Sequence, residues 1–275
     1  MMKKNIFVSI LALLILSFVF TGCAQKQEST PPAADEQITL KVGATPVPHA
    51  EILQLIQPKL EADGIQLEIV EFTDYVSPNL ALSSKEIDAN FFQHAPYMES
   101  FAEERGIDLI SAGKIHVEPL GLYSKKITSL EELKDGATIT IPNDPTNGGR
   151  ALILLDHEGI IQLKDGAGLE ATEKDIASNP KNLVFKPIEA AQLPRTLEDV
   201  DASIINTNYA LEGNLDPEKD AIIMEGSESP YANIVTIRPE DKDSEVIQKL
   251  VAALQSQEVK DFLKEKYKGA VVPAF

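Results

Sequence analysis

In the segment Ile139 to Leu155, ITIPNDPTNGGRALILL, a single arginine follows two glycines where a strand signal runs into a helix signal. Thr146 or Asn147 can cap that helix, and Gly148 and Gly149 leave backbone N–H groups open just ahead of Arg150. A helix start of this kind attracts negative charge. Arg150 adds a guanidinium able to grip a carboxylate through two parallel hydrogen bonds, which a lysine could not reproduce. The same residues also fit a plain Pro/Gly turn with Arg150 at the surface, paired with a nearby acid.

Two further groups of residues could do chemistry. Asp88 to Met98, DANFFQHAPYM, gathers Phe91, Phe92, His94 and Tyr97 where a strand gives way to a helix, and Tyr75 stands at the corresponding end of the preceding strand. Alternation along a strand sends one phenylalanine to the core and one to the opposite face. Rings of this kind suit an apolar or thioether chain, because polarizable sulfur is attracted to ring edges; two core phenylalanines with a surface histidine are the bland alternative. Asn206 closes the apolar run ASII, and Asn233 lies in PYANI. A primary amide at the end of a core strand has to be satisfied, and both could meet a carboxylate or an ammonium, or could serve turns. Asn208 and Asn214 fit turns.

Common catalytic signatures are missing from the sequence: there is no Gly-x-Ser-x-Gly, no Walker loop and no His-Glu-x-x-His. Gly166 to Ala171, GAGLEA, matches a dinucleotide pattern only loosely; it follows a weak strand signal and reads as a loop. We therefore expect a binding protein and not an enzyme, with no cofactor.

The elements that must position these residues alternate. Strand signals cover Ile38 to Ala44, Gln66 to Phe72, Ile87 to Phe92, Asp108 to Ser111, Glu118 to Ser124, Ala137 to Pro142, Asn182 to Pro187, Ala202 to Asn206, Ala221 to Met224 and Ala232 to Arg238. Helical patterns cover Ala50 to Leu60, Val76 to Ser84, Pro96 to Glu104 and Gly149 to His157, and one long helix is expected from Ser244 to Tyr267. This order predicts an α/β fold with mixed, mainly parallel sheets. Two lobes are expected, 38–122 plus 232–275 and 123–231, with crossovers at VEPLGLYS (117–124) and YANIVTIRP (231–239) and a ligand cleft between them.

Upstream, Lys3 and Lys4 precede an apolar run from Ile6 to Phe20 and then Thr21-Gly22-Cys23, the chain's single cysteine. The run is too short to span a bilayer, which takes ~20 residues, and it reads as an export signal over 1–22. Cys23 is the expected lipid attachment site, because a lone thiol in an exported chain has no disulfide partner. The polar, proline-containing stretch 23–37 is expected to be a flexible tether. Forty-three acidic residues against 25 basic ones argue against nucleic acid and anionic surfaces as partners.

FFQHAPYM, VEPLGLYSKKI, IPNDPTNGGRALILL, INTNYA and YANIVTIRPED, in this order along the chain, resemble the motifs of the NlpA family, the substrate-binding lipoproteins of methionine ABC transporters. The resemblance implies a two-lobed periplasmic-binding-protein fold that closes on methionine and delivers it to a membrane permease driven by a cytoplasmic ATPase. It implies that Arg150 holds the substrate carboxylate, that Asn206 and Asn233 hold the zwitterionic head, and that Tyr75, Phe92, His94 and Tyr97 surround the thioether chain. A lipid-anchored monomer on the extracytoplasmic face of the membrane is expected. Two rivals remain at this level: a metal-binding lipoprotein using His49, His94, His116 or His157, and a surface interaction protein with a vestigial cleft.

Overall fold

Hydrophobic alternation in ITLKVGA builds a first strand whose inward residues are fully covered, and the chain adds to it by repeated strand–helix steps. The computed structural model describes residues 37–226 and 229–275. The expected signal segment, Cys23 and the tether up to residue 36 lie outside the described residues. From the start the order is β1 (Ile38–Ala44), α1 (Glu51–Ala62), β2 (Ile65–Glu71), α2 (Ser77–Ser83), β3 (Ala89–His94), α3 (Ala95–Arg105), β4 (Ile110–Val117), β5 (Gly121–Tyr123), β6 (Thr138–Pro142) and α4 (Pro145–His157). It continues with β7 (Gln162–Leu163), β8 (Ile176–Ser178), β9 (Val184–Ile188), β10 (Ala202–Ile205), α5 (Thr207–Glu212), α6 (Pro217–Asp220), β11 (Ala221–Met224), β12 (Ala232–Ile237), α7 (Glu245–Leu254), α8 (Gln257–Lys266) and β13 (Val272–Pro273).

Two larger sheets result. One has the order β13-β4-β12-β3-β1-β2 and the other β11-β5-β10-β6-β9, with β7 and β8 forming a small antiparallel pair apart from both. In the first, β1 runs parallel to β2 and β3, whereas β12 lies antiparallel to β3 and β4. In the second, β6 runs parallel to β9 and β10, and β5 lies antiparallel to β10 and β11. The fold is α/β with mixed sheets as expected, but parallel pairing does not predominate. Strands that follow a crossover enter against the existing direction and give each sheet an antiparallel half.

Each sheet has its own core. Leu40, Val42, Ile52, Ile56 and Ile65 pack with Leu250, Leu254 and Leu263 of the C-terminal helices. Leu122, Ile139, Leu152, Leu155 and Ile204 form the core of the second sheet. Both links between the sheets differ by a few residues from expectation. Gly121 to Tyr123 already pair in the second sheet, so the outward link is 118–120. YANIVTIRP is largely β12, a central strand of the first sheet, so the return link precedes it. The expected single C-terminal helix is two: α7 ends at Leu254, and Ser256 caps α8 by accepting from the Val259 N–H. Gly166 and Gly168 lie at φ of 78° and 70°, conformations open to glycine, and form a loop as read. Among the described residues no helix is long and apolar enough to cross a membrane.

Leu250 is fully buried where α7 meets the first core. Leu250→Ala is expected to destabilise the protein by about 2–5 kcal/mol, the range for such cavities, read as a lower denaturant midpoint at unchanged slope.

Candidate functional site

The residues singled out for chemistry come from five separate parts of the chain, and the fold brings them to one place. Tyr75, Phe92, His94, Tyr97, Arg150, Asn206 and Asn233 all line a single pocket where the two sheets meet. Gln93, Glu118, Asn147, Thr207 and Asn208 complete its wall. Strand ends supply most of them: Phe92 and His94 finish β3, Asn206 follows β10, and Asn233 begins β12. Alternation divides the phenylalanines as expected, with Phe91 in the first core and Phe92 at the pocket.

One part of the pocket is aromatic. The Tyr75 ring lies 5.8 Å from Phe92 and 5.7 Å from Tyr97, and Tyr209, from the second sheet's side, approaches it to 4.9 Å. Hydroxyls on these rings are bonded away from the apolar space. Tyr97 donates to the Tyr75 carbonyl at 2.9 Å and Tyr75 donates to Asn208 Oδ1 at 2.5 Å. Asn208, read as a turn residue, is instead a helical residue that joins Tyr75 to α5; Asn214, with φ of 59°, is a turn residue as read.

The other part is polar and charged. Arg150 is 3% exposed, so its guanidinium is held almost wholly out of water. Its Nε and Nη2 face the Glu225 carboxylate, with Nε at 3.1 and 3.2 Å from the two oxygens, and Nη2 also donates to the Glu118 carbonyl at 2.8 Å. The Tyr231 ring covers the guanidinium face at 4.3 Å. Arg150 is thus buried at the pocket, as one reading had it, and paired with an acid, as the other had it. Because Glu225 occupies the Nε–Nη2 edge, the two-pronged grip expected on a ligand carboxylate is engaged internally. Nη1 has no partner among the described residues.

The start of α4 also departs from expectation. Asp144 caps it, accepting from the Asn147 N–H at 2.9 Å, and its backbone carbonyl takes the Gly148 N–H. The Asp144 side chain thus fills the helix start where an anion was expected. Gly149 serves close packing: a Cβ there would sit 2.3 Å from the Leu169 carbonyl oxygen and 2.8 Å from the Ala171 nitrogen. Asn147, freed from capping, becomes a junction. Its Nδ2 donates to Asp144, and its Oδ1 accepts from Asn206 Nδ2 at 2.8 Å and from His94 Nε2 at 3.1 Å. The His94 tautomer follows, since Nδ1 accepts from the Tyr97 N–H at 3.1 Å and the ring proton must lie on Nε2. Asn206 Oδ1 is left buried without a partner among the described residues.

Beside the pocket three buried side chains meet. His116 Nε2 lies 2.7 Å and His49 Nε2 3.2 Å from Glu118 Oε1; His49 Nε2 is also 3.2 Å from Asn233 Oδ1, and Thr45 Oγ1 is 2.7 Å from His49 Nδ1. Of the four histidines considered as metal ligands, His49 and His116 come together with Glu118, their ligand atoms within 4.8 Å of one another, while His94 and His157 lie elsewhere. Burial lowers the pKa of His49 to about 4 and those of His94 and His116 to about 3. Burial pushes Glu118 upward, opposed by His49, Arg150 and the Asn208 N–H.

Glu118, Glu225 and Tyr231, and the place of Asn147 in the pocket wall in place of a cap, were not anticipated. A glutamate and a histidine inside the apolar run IHVEPLGLY were the available signal for Glu118 and His116; Glu225 and Tyr231 carried none.

A pocket between two mixed α/β sheets, with an aromatic part and a charged part, defines a two-lobed solute-binding protein. The NlpA lipoprotein family model matches residues 40–275. The D-methionine-binding lipoprotein MetQ of Salmonella typhimurium is 44% identical over 262 residues, covering 94% of each chain. Outer membrane lipoprotein 3 of Mannheimia haemolytica is 44% identical, covering 95% of this chain and 96% of its own. Among solved structures, a nutrient-binding protein from Burkholderia cenocepacia bound to methionine superposes with a TM-score of 0.83 at 50% identity, covering 86% of this chain and 100% of that one. A putative methionine-binding lipoprotein of Bacillus subtilis gives 0.84 at 43% identity, covering 86% and 98%. This chain belongs to the NlpA lipoprotein family.

The imidazole environments have a pH consequence. The unfolded chain takes up protons on these histidines near pH 6.5 whereas the folded chain resists them. Their contribution to stability is therefore complete above 6.5 and is lost as pH falls toward about 4 for His49 and about 3 for His94 and His116. Nitrogen NMR at pH 5 is expected to show three neutral rings protonated on Nε2; an imidazolium signal from any of the three contradicts the assignment.

Proposed function

We propose that this chain is an extracytoplasmic, lipid-anchored solute-binding protein that captures methionine and delivers it to an ABC importer. It acts by binding, without catalysis. The observation that carries this reading is the convergence of a buried guanidinium, two primary amides and a box of rings on one pocket. An amino acid with an unbranched apolar side chain has matching ends: a carboxylate, an ammonium and a thioether tail that ring edges attract. Nη1 of Arg150 and the Asn233 amide suit the carboxylate, and the unpartnered Oδ1 of Asn206 suits an ammonium donor. Tyr75, Phe92, His94 and Tyr97 enclose the tail. Imidazole neutrality matters here, because a charged His94 would repel both Arg150 and an ammonium.

The two lobes are 38–122 with 232–275, and 123–231, with the pocket at their junction; the sheet order supports this division to within a few residues at each link. Lipid on Cys23 tethers the protein, as a monomer, beside a permease with its cytoplasmic ATPase. Family membership and the names of the methionine-binding relatives support this arrangement.

A metal cargo is the second reading, favoured by His49, His116 and Glu118. Zinc at ~2.0–2.1 Å from each ligand atom in a tetrahedral shell would hold the donors about 3.3 Å apart. The 2.7 Å approach of His116 to Glu118 is instead a hydrogen-bond distance. Metal analysis of the purified protein separates the two.

Calorimetry tests the first reading directly. Arg150→Ala and Asn206→Ala are each expected to weaken methionine binding by about 2–5 kcal/mol, because each leaves polar partners unpaired in a dry site; unchanged affinity in both removes the assignment. In a thermal-shift panel of amino acids, methionine at 100-fold excess over its dissociation constant should stabilise the fold by about 2.7 kcal/mol.

A further inference from the structure

We propose that Glu118 is the counter-charge for the ligand's α-ammonium group, fixed in place by the imidazoles of His49 and His116, and that it restricts the pocket to ligands with a free amino group. This rests on the reading of the pocket as an amino-acid site and extends it to a residue that reading did not use.

Glu118 lines the pocket while almost completely buried, and its Oε1 lies within reach of two imidazole nitrogens. Which nitrogens carry the protons follows from the neighbours. His49 Nε2 faces two oxygens, Glu118 Oε1 and Asn233 Oδ1, both at 3.2 Å, so it is the protonated nitrogen, and Nδ1 accepts from the Thr45 hydroxyl at 2.7 Å. His116 Nε2 meets only Glu118 Oε1, at 2.7 Å, so it too is a donor. Its Nδ1 is then an unprotonated acceptor, and it is buried with no partner among the described residues. Leaving such an atom unpaired is unfavourable for folding. A side chain of purely structural value would be better replaced by an apolar one; what His116 adds is an N–H aimed at one carboxylate oxygen.

Two neutral donors hold an anion without cancelling it. A protonated histidine or a lysine in their place would form a closed ion pair, whereas neutral N–H donors leave the carboxyl group without a formal counter-charge. Arg150 makes no side-chain hydrogen bond to the Glu118 carboxylate, since its bonds go to Glu225 and to the Glu118 backbone carbonyl. The pocket therefore has the Arg150 guanidinium, already paired along one edge with Glu225, on its wall and the Glu118 carboxyl as a separate group, and a zwitterion brings one charged group for each. Burial pushes the Glu118 carboxyl up in the empty pocket, and a ligand ammonium would supply the stabilisation that solvent cannot.

The test compares ligands that differ at one group. Methionine and 2-hydroxy-4-(methylthio)butanoate share carboxylate and tail, but the second carries a hydroxyl where methionine carries the ammonium. Wild-type protein is expected to prefer methionine by at least ~100-fold, as sites built around a specific polar group reject analogues lacking it. Glu118→Gln keeps shape and an acceptor for both imidazoles but removes the charge. It should weaken methionine by ~30-fold or more while leaving the hydroxy acid within a few-fold. His116→Leu should lower the preference in the same direction, and His116→Gln, which retains an N–H donor, should restore it. A wild-type protein that takes both ligands equally overturns the role of Glu118 and leaves methionine capture standing. An equal loss of both ligands in Glu118→Gln, or no loss of methionine, also overturns it. A wild type that binds neither overturns the methionine reading itself.

Discussion

A guanidinium kept out of water has to be met on its edges and its faces by something else, and much of the pocket's architecture follows from meeting Arg150. Its edge is taken by Glu225, one Nη2 proton by the Glu118 carbonyl, and one face by the Tyr231 ring. These three partners share a location. Glu118 lies in the outward link between the sheets, whereas Glu225 and Tyr231 flank the return link. A single side chain on α4 is therefore bonded to both strands of backbone that join the two sheets. Charge burial makes this coupling obligatory, because the alternative is an uncompensated cation in a medium of low dielectric.

The polar wall around Arg150 obeys the same accounting. Asn147 uses both ends of its amide: Nδ2 toward the Asp144 cap, Oδ1 toward Asn206 and His94. That fixes the orientation of Asn206, whose remaining oxygen has no internal partner. Gln93 is held in its turn by Asn79, Asn90 and Thr236 in a buried network on the first sheet. Every amide is thus oriented before a ligand arrives, and the reorganisation that binding would otherwise require has been completed during folding. In the pocket and beside it, Asn206 Oδ1, Asn208 Nδ2 and His116 Nδ1 stay unpaired among the described residues.

Much of this fold was legible because local patterns and tertiary context agree. β1 and β11 match their apolar runs residue for residue, and Phe91 and Phe92 divide between core and pocket as alternation requires. Failures fall where a local signal had two outcomes. Asp144 and Asn147 are both competent caps, and the backbone geometry chose Asp144. The α7–α8 break falls in the polar stretch Gln255 to Glu258, which carries the Ser256 cap and which a single-helix expectation passes over. Gly149 looked like an opening for an anion but is the point at which Leu169 to Ala171 pack against the helix. Arg150 was identifiable from its motif, yet its partner Glu225 lies 75 residues away in an unremarkable loop. Long-range pairing of that kind leaves no periodic trace.

The contrast between the pocket's two parts carries a further step. Tyr75, Phe92 and Tyr97 come from the first sheet's side, while Tyr209 reaches them from the second, with Tyr209 Oη donating to the Thr73 carbonyl at 3.2 Å. The aromatic part is therefore completed only when both sheets contribute, and the same holds for the polar part, where Asn206 and Arg150 face Asn233 and His94. A ligand that filled only one part would leave the other solvated and would gain little from bringing the sheets together. One that satisfies both at once, with separated charges at one end and a polarizable apolar chain at the other, bonds the two sheets through itself. Its selectivity would then arise from the requirement that both contacts form together, more than from the strength of either alone.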